Sequence, residues 1–119
     1  MNVRHPILVF VIGALSVQLC PQAKAQSIQE PFLEKHCYEC HDEDIAKGGM
    51  DLTALPRDLA NPDVLRKWIG IYDRIAHGEM PPKEKKQPSP QGKRAFLDTL
   101  GKGLLQAEKA RERTMGKGL

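Results

Sequence analysis

The chain has 119 residues, of which 40% are hydrophobic and 28% are charged, so it is long enough for about one small soluble domain and too short for a multi-domain enzyme. The formal net charge of +3 is small for a nucleic-acid-binding domain, which normally carries a pronounced basic surface. Aromatic residues make up only 5% of the chain, which is few for a core that must be stable by itself.

Residues 1–25 have the three parts of a secretory signal peptide: a basic start, an apolar stretch and a short cleavage region. The apolar stretch, residues 7–19, carries no charge, and the cleavage region ends in the A-x-A sequence Ala23-Lys24-Ala25. The stretch is shorter than the roughly 20 residues that a membrane-spanning helix needs. We therefore predict cleavage after Ala25 and export to the periplasm or the extracellular space. A retained anchor and lipid attachment at Cys20 are the alternatives.

The first predicted helix of the mature chain begins at Pro31, because proline is tolerated in the first turn of a helix. We expect it to continue to about Cys40. Lys47-Gly48-Gly49 is predicted to interrupt regular structure, and residues 50–55 to form an ordered loop that ends at a proline.

Two further helices have stronger start signals. Asn61-Pro62-Asp63 combines a capping side chain, a proline and an acidic residue, and Gly78 is a suitable end for this helix. Ser89-Pro90 begins the third helix by the same logic, and we expect fraying after about Arg113. The apolar residues at helical spacing are Leu65, Trp68, Ile69, Tyr72 and Ile75 in the second helix, and Phe96, Leu97, Leu100, Leu104 and Ala107 in the third.

These elements predict an all-α fold with about three helices and long loops. We assign residues 26–113 to one domain and residues 114–119 to a flexible tail. Because the apolar stripes are short and aromatic residues are few, the domain is expected to need a disulfide, a metal or a cofactor for stability.

The segment Cys37-Tyr38-Glu39-Cys40-His41 is a C-x-x-C-H motif, the signature of c-type haem attachment. Two thiols at this spacing can reach the two vinyl groups of one porphyrin, and His41 can then place a ring nitrogen on the iron. Haem c is attached outside the cytoplasm, so haem attachment at this motif requires export, which the predicted signal peptide would provide. A redox disulfide, a zinc site and chance occurrence are the alternatives. The first lacks a preceding strand, and the second lacks the ligand spacing of a zinc finger.

Met80 is the predicted second axial ligand of this iron. It follows His41 by 39 residues, which is enough chain to pass around a haem, and it precedes two prolines that exclude helix. His77 is the alternative ligand. Met50 is expected to be an apolar contact, His36 to point elsewhere on its helix, and Met115 to lie in the tail.

The aromatic residues are predicted to be structural. Trp68 and Tyr72 belong to the core, with a hydrogen bond to a haem propionate as a second possibility for either one. Phe32 and Phe96 are expected to form the contact between the first and last helices.

With these motifs together, the chain resembles the planctomycete-type cytochrome c domain, which has the class I cytochrome c fold. The resemblance covers about residues 28–108. It depends on Phe32-Leu33, His36-Cys37-Tyr38, Cys40-His41, the run Lys47-Gly48-Gly49-Met50-Asp51-Leu52, Trp68, Arg74-Ile75 and Gly78-Glu79-Met80-Pro81-Pro82.

The resemblance implies one haem c, attached through Cys37 and Cys40, with His41 as the proximal ligand and Met80 as the distal ligand. Met50 departs from the family pattern, where leucine is expected. The family's domain usually begins a longer secreted protein. We therefore expect either a free-standing carrier or an N-terminal piece of such a protein, with further domains beyond it.

The function expected from these observations is single-electron transfer by an exported c-type cytochrome. We expect a carrier that exchanges electrons with partner redox proteins and is not a catalyst in isolation. Binding to nucleic acid and a stable membrane span after signal cleavage are not expected. The alternatives are a haem-based ligand sensor and a thiol–disulfide oxidoreductase.

Overall fold

The computed structural model describes residues 28–118, so the predicted signal peptide lies outside the described residues. The helices are α1 (Glu30–His36), α2 (Pro62–Ala76) and α3 (Pro90–Gly116), with a short 3-10 turn at Lys47–Gly49. This part of the chain contains no strand, which confirms the predicted all-α class. Within it, no helix has the combination of length and apolar character required to cross a bilayer.

Helix α1 is shorter than predicted, because it ends at His36 and not near Cys40. The backbone N–H groups of Cys37 and Tyr38 both donate to the Leu33 carbonyl, at 2.8 and 3.0 Å. The second bond spans five residues instead of four, so the regular helical pattern ends here. The C-x-x-C-H motif therefore begins at the end of a helix and continues as a series of turns.

Helix α2 begins and ends as predicted. The Asn61 side chain accepts hydrogen bonds from the N–H groups of Asp63 and Val64, at 2.9 and 3.3 Å, and so caps the first turn. Beyond the last turn, Gly78 has a φ of +75°, a left-handed conformation that glycine adopts without a steric penalty. This turn ends the helix shortly before Met80.

Helix α3 is capped by Ser89, whose hydroxyl accepts a hydrogen bond from the Gly92 N–H at 3.0 Å. It is helical as far as Gly116, three residues past the predicted onset of fraying at Arg113. The division into a domain at 26–113 and a tail at 114–119 stays a prediction.

The core lies where α1 and the loop after the motif meet the packed pair α2 and α3. The predicted contact between the first and last helices is confirmed: the rings of Phe32 and Phe96 stack with centroids 4.1 Å apart. Eleven apolar residues are buried: Ile28, Leu33, Leu52, Leu55, Val64, Leu65, Trp68, Ile75, Phe96, Leu100 and Leu104. The three helices thus share one core, to which the loop after the motif contributes Leu52 and Leu55.

Candidate functional site

The four side chains predicted to hold a haem line one cavity of about 480 Å³. They are Cys37, Cys40, His41 and Met80. The cavity is also lined by apolar side chains, among them those of Leu52, Ile71 and Ile75. A largely apolar cavity with a few convergent polar groups, in the size range of small-molecule sites, is typical of a cofactor pocket.

The orientation of His41 is fixed by hydrogen bonds on both sides of the residue. Its Nδ1 lies 3.1 Å from the carbonyl oxygen of Met50, and its own carbonyl accepts the Leu52 N–H at 2.8 Å. Because the Met50 carbonyl can only accept, Nδ1 carries the proton, and Nε2 keeps the free lone pair that binds a metal. A carbonyl partner of this kind orients a metal-binding imidazole.

Met80 is held at the end of a tight turn after α2. The N–H groups of Glu79 and Met80 both donate to the Arg74 carbonyl, at 2.8 and 3.2 Å, and the Arg74 guanidinium pairs with the Glu79 carboxylate at 3.2 Å. Met80 itself is partly buried and is followed by the buried Pro81. The thioether is therefore presented to the cavity by a backbone that the turn holds in place.

The other candidate ligands divide between the cavity and the surface. His77 is exposed, its Nδ1 donates to the Asp73 carbonyl at 2.7 Å, and it does not line the cavity. Met50 lines the cavity. Met115 is 64% exposed on the last turn of α3. Of the histidine and methionine alternatives to Met80, His77 and Met115 therefore lie away from the motif.

The expectation that His36 points elsewhere is wrong, since this side chain also lines the cavity. The helix ends at His36, and the turns that follow it contain the motif, whose cysteines and histidine line the same cavity. The Nδ1 of His36 is buried and has no hydrogen-bond partner among the described residues. Burial lowers the pKa of His36, and the neighbouring charge of Lys35 acts in the same direction. The sequence feature that could have indicated this position is a histidine directly before the first cysteine of the motif.

Trp68 is fully buried, as predicted for a core residue. Its indole N–H donates to the Pro56 carbonyl at 2.8 Å, so this donor is occupied within the protein. The guanidinium of Arg57 lies 5.0 Å from the centre of the Trp68 ring.

Sequence reasoning missed Arg57, which connects the motif to the loop after it. Its guanidinium pairs with the Glu30 carboxylate at 3.1 Å, donates to the Tyr38 hydroxyl at 3.0 Å and donates to the Leu52 carbonyl at 3.2 Å. Tyr38 in turn donates to Glu30. Burial, with this hydrogen bond, raises the pKa of Tyr38 to about 12. No local pattern around Arg57 indicates this role, because its partners are distant in sequence.

A second connection joins the motif to the segment after Met80. The Lys85 ammonium lies 2.9 Å from the Glu39 carboxylate, and the hydrogen bond to Glu39 raises the pKa of Lys85. These residues lie at the rim of the cavity, together with Lys86. The two loops that provide the predicted ligands are thereby tied to each other.

The residues around the cavity fit a haem better than the alternative occupants. Two thiols, an imidazole with a free nitrogen and a thioether form the donor set of a c-type haem site. Burial raises the pKa of the Cys37 thiol to about 11, which disfavours the thiolate that disulfide exchange requires. Residues 28–118 contain no group of three or more His, Cys, Asp or Glu side chains arranged to hold a metal ion.

Comparison with known proteins agrees with this geometry. Residues 37–84 match the family described as Planctomycete cytochrome C. The matched segment begins at Cys37 of the motif and includes Met80-Pro81-Pro82. The match confirms the resemblance predicted from the sequence for these residues. No curated protein and no solved structure matches the chain.

Proposed function

We propose that this cytochrome c-type domain binds one covalent haem and transfers single electrons outside the cytoplasm. The observation that carries the proposal is the meeting of both thiols, the imidazole and the Met80 thioether at one apolar cavity. The haem supplies a one-electron iron couple when it is bound. The proposal also assigns the chain the role of a carrier between redox partners.

Each residue has a separate task in this proposal. Cys37 and Cys40 form the two thioether attachments, and His41 provides Nε2 as the proximal ligand. Met80 provides the distal sulfur, which together with burial favours the reduced state and raises the potential relative to a bis-histidine site. The apolar side chains of the lining would keep water away from the iron.

Export is part of the proposal, because haem c is attached outside the cytoplasm. It is supported by the signal-like sequence of residues 1–25. Mass spectrometry of the secreted chain tests this directly. Cleavage after Ala25 is expected, and recovery of the chain only in the cytoplasm contradicts export.

The test of haem attachment is a pyridine haemochrome assay after acid–acetone extraction, on protein exported from a host with haem c maturation machinery. A c-type spectrum that survives extraction is expected for the wild type. Substitution of both Cys37→Ser and Cys40→Ser should abolish it. A colourless wild-type protein would contradict the proposal and favour the thiol alternative.

The test of the distal ligand compares Met80→Ala with Met50→Ala, since both methionines line the cavity. We expect Met80→Ala to remove the sulfur-to-iron charge-transfer band of the oxidised protein and to let carbon monoxide bind the reduced form readily. Met50→Ala should retain the band, because Met50 is proposed as an apolar lining residue and the substitution keeps the backbone carbonyl that holds His41. An unchanged spectrum for Met80→Ala would exclude Met80 as the ligand, and rapid carbon monoxide binding by the wild type would favour a sensor.

A further inference from the structure

His36 is the residue of the cavity that the proposed function leaves unexplained. Its Nδ1 is buried, and it is the one such side-chain atom without a hydrogen-bond partner within residues 28–118. Buried polar atoms in folded proteins are normally paired, so an exception calls for an explanation. His36 lines the cavity next to Cys37, with the Lys86 backbone close to its ring, and the group that fills the cavity is a further partner for it.

The position of the His36 ring is set by the core. The ring packs against Phe32 with centroids 5.0 Å apart, and Phe32 stacks on Phe96, which is fully buried. A ring held in this way keeps its place at the cavity and does not move freely into solvent.

We infer that His36 is a second imidazole of the haem site and that its charge helps to set the reduction potential of that site. The inference rests on the proposed function. Reduction adds one electron to the site, from a redox partner or from an electrode, and so removes one positive charge from it. A protonated His36 repels the oxidised site more than the reduced site, so reduction is accompanied by uptake of up to one proton from solvent at His36. The potential therefore falls as the pH rises through the titration of His36.

The pH dependence is assigned to His36 by comparing variants that keep all the other charged groups of the cavity. The Nδ1 of His41 is held by the Met50 carbonyl, and its other nitrogen is the proposed ligand. Burial lowers the pKa of His36, so its titration is expected on the acid side of the usual range for histidine. The charged side chains that line the cavity with His36 are Lys35, Glu39, Lys47, Arg74, Lys85 and Lys86.

The test is a potentiometric titration of the haem-loaded wild type, His36→Gln and His77→Gln between pH 5 and 8. His77→Gln is the matched control, because His77 is exposed and lies outside the cavity. We expect the potentials of the wild type and His77→Gln to fall with pH, with a slope below the roughly 59 mV per pH unit that one proton per electron gives. The part of the slope that comes from His36 should be lost in His36→Gln, which should therefore show a shallower slope than the other two proteins. A slope in His36→Gln equal to that of the wild type overturns the inference.

The haem content of each sample separates this inference from the proposed function. Absence of haem in the wild type overturns both, whereas full loading with equal slopes overturns only the role of His36. If His36→Gln fails to load, proton NMR of wild-type His36 in the two redox states gives the same answer. A higher pKa in the reduced protein is expected, and an identical pKa in both states overturns the inference.

Discussion

The substitution Trp68→Phe tests whether the core is assembled around the indole ring as the structure describes. Loss of the hydrogen bond to the exposed Pro56 costs about 1 kcal/mol, which is the net value of one such bond. The smaller ring leaves a void of roughly 40 Å³, which costs about 1 kcal/mol more. Weaker interaction with the Arg57 guanidinium adds about 0.3 kcal/mol, since tryptophan is the best aromatic partner for a cation.

The expected loss of unfolding free energy is therefore about 2 kcal/mol, equivalent to about 8–16 °C in Tm for a domain of this size. Urea and thermal unfolding of the haem-loaded protein, followed by far-UV circular dichroism, measure it. Tyr72→Phe is the matched control, because it removes a polar group from a partly buried ring on the same helix. It should cost less than about 0.5 kcal/mol. A loss below about 1 kcal/mol for Trp68→Phe would refute the reasoning, because neither the hydrogen bond nor the enclosure of the ring would then contribute as described.

Two further predictions concern the start of a helix and the pH dependence of stability. Asn61→Ala should destabilise the protein by about 1 kcal/mol, because the first-turn N–H groups of α2 lose their acceptor; an unchanged urea midpoint would show that the cap contributes nothing. Hydrogen bonding by Tyr38, with a smaller contribution from Arg57, lowers the pKa of Glu30. The ionised Glu30 carboxylate therefore stabilises the folded protein above its unfolded-state pKa. This stability is lost as the pH falls through the folded-state pKa. Glu30→Gln should therefore be less stable than the wild type at pH 7, by at most about 1 kcal/mol because the pair is partly exposed. Urea unfolding from pH 7 to 3 should show the unfolding free energies of the two proteins converging. Curves of unfolding free energy against pH that stay parallel would contradict the assignment.

Features that depend on short stretches of chain were predictable from the sequence. The Asn61 and Ser89 caps act on N–H groups within three residues, so the starts of α2 and α3 were correct. The helical spacing of apolar residues located the buried side of α3, and the stacking of Phe32 on Phe96 followed from it. The C-x-x-C-H motif is equally local, and its two cysteines and histidine do line one cavity.

The end of α1 was not predictable in the same way. The composition of residues 37–40 permits helix, but the Leu33 carbonyl receives two N–H groups and closes the last turn. His36 is the last residue of the helix, and it lines the same cavity as the motif that follows it. Which residues share that cavity depends on how the chain folds after the helix, and residue spacing alone does not contain that information.

The sequence by itself indicated the resemblance to planctomycete cytochrome c, the starts of α2 and α3 and the residues proposed to hold a haem, because each of these depends mainly on residue types at short spacings. The tertiary structure decided which of several similar side chains share the cavity. It brought Met80 and His36 to it, left His77 on the surface, and placed Arg57 between Glu30, Tyr38 and Trp68. These outcomes depend on contacts between segments that are distant along the chain. Such contacts follow from the packing of the whole core.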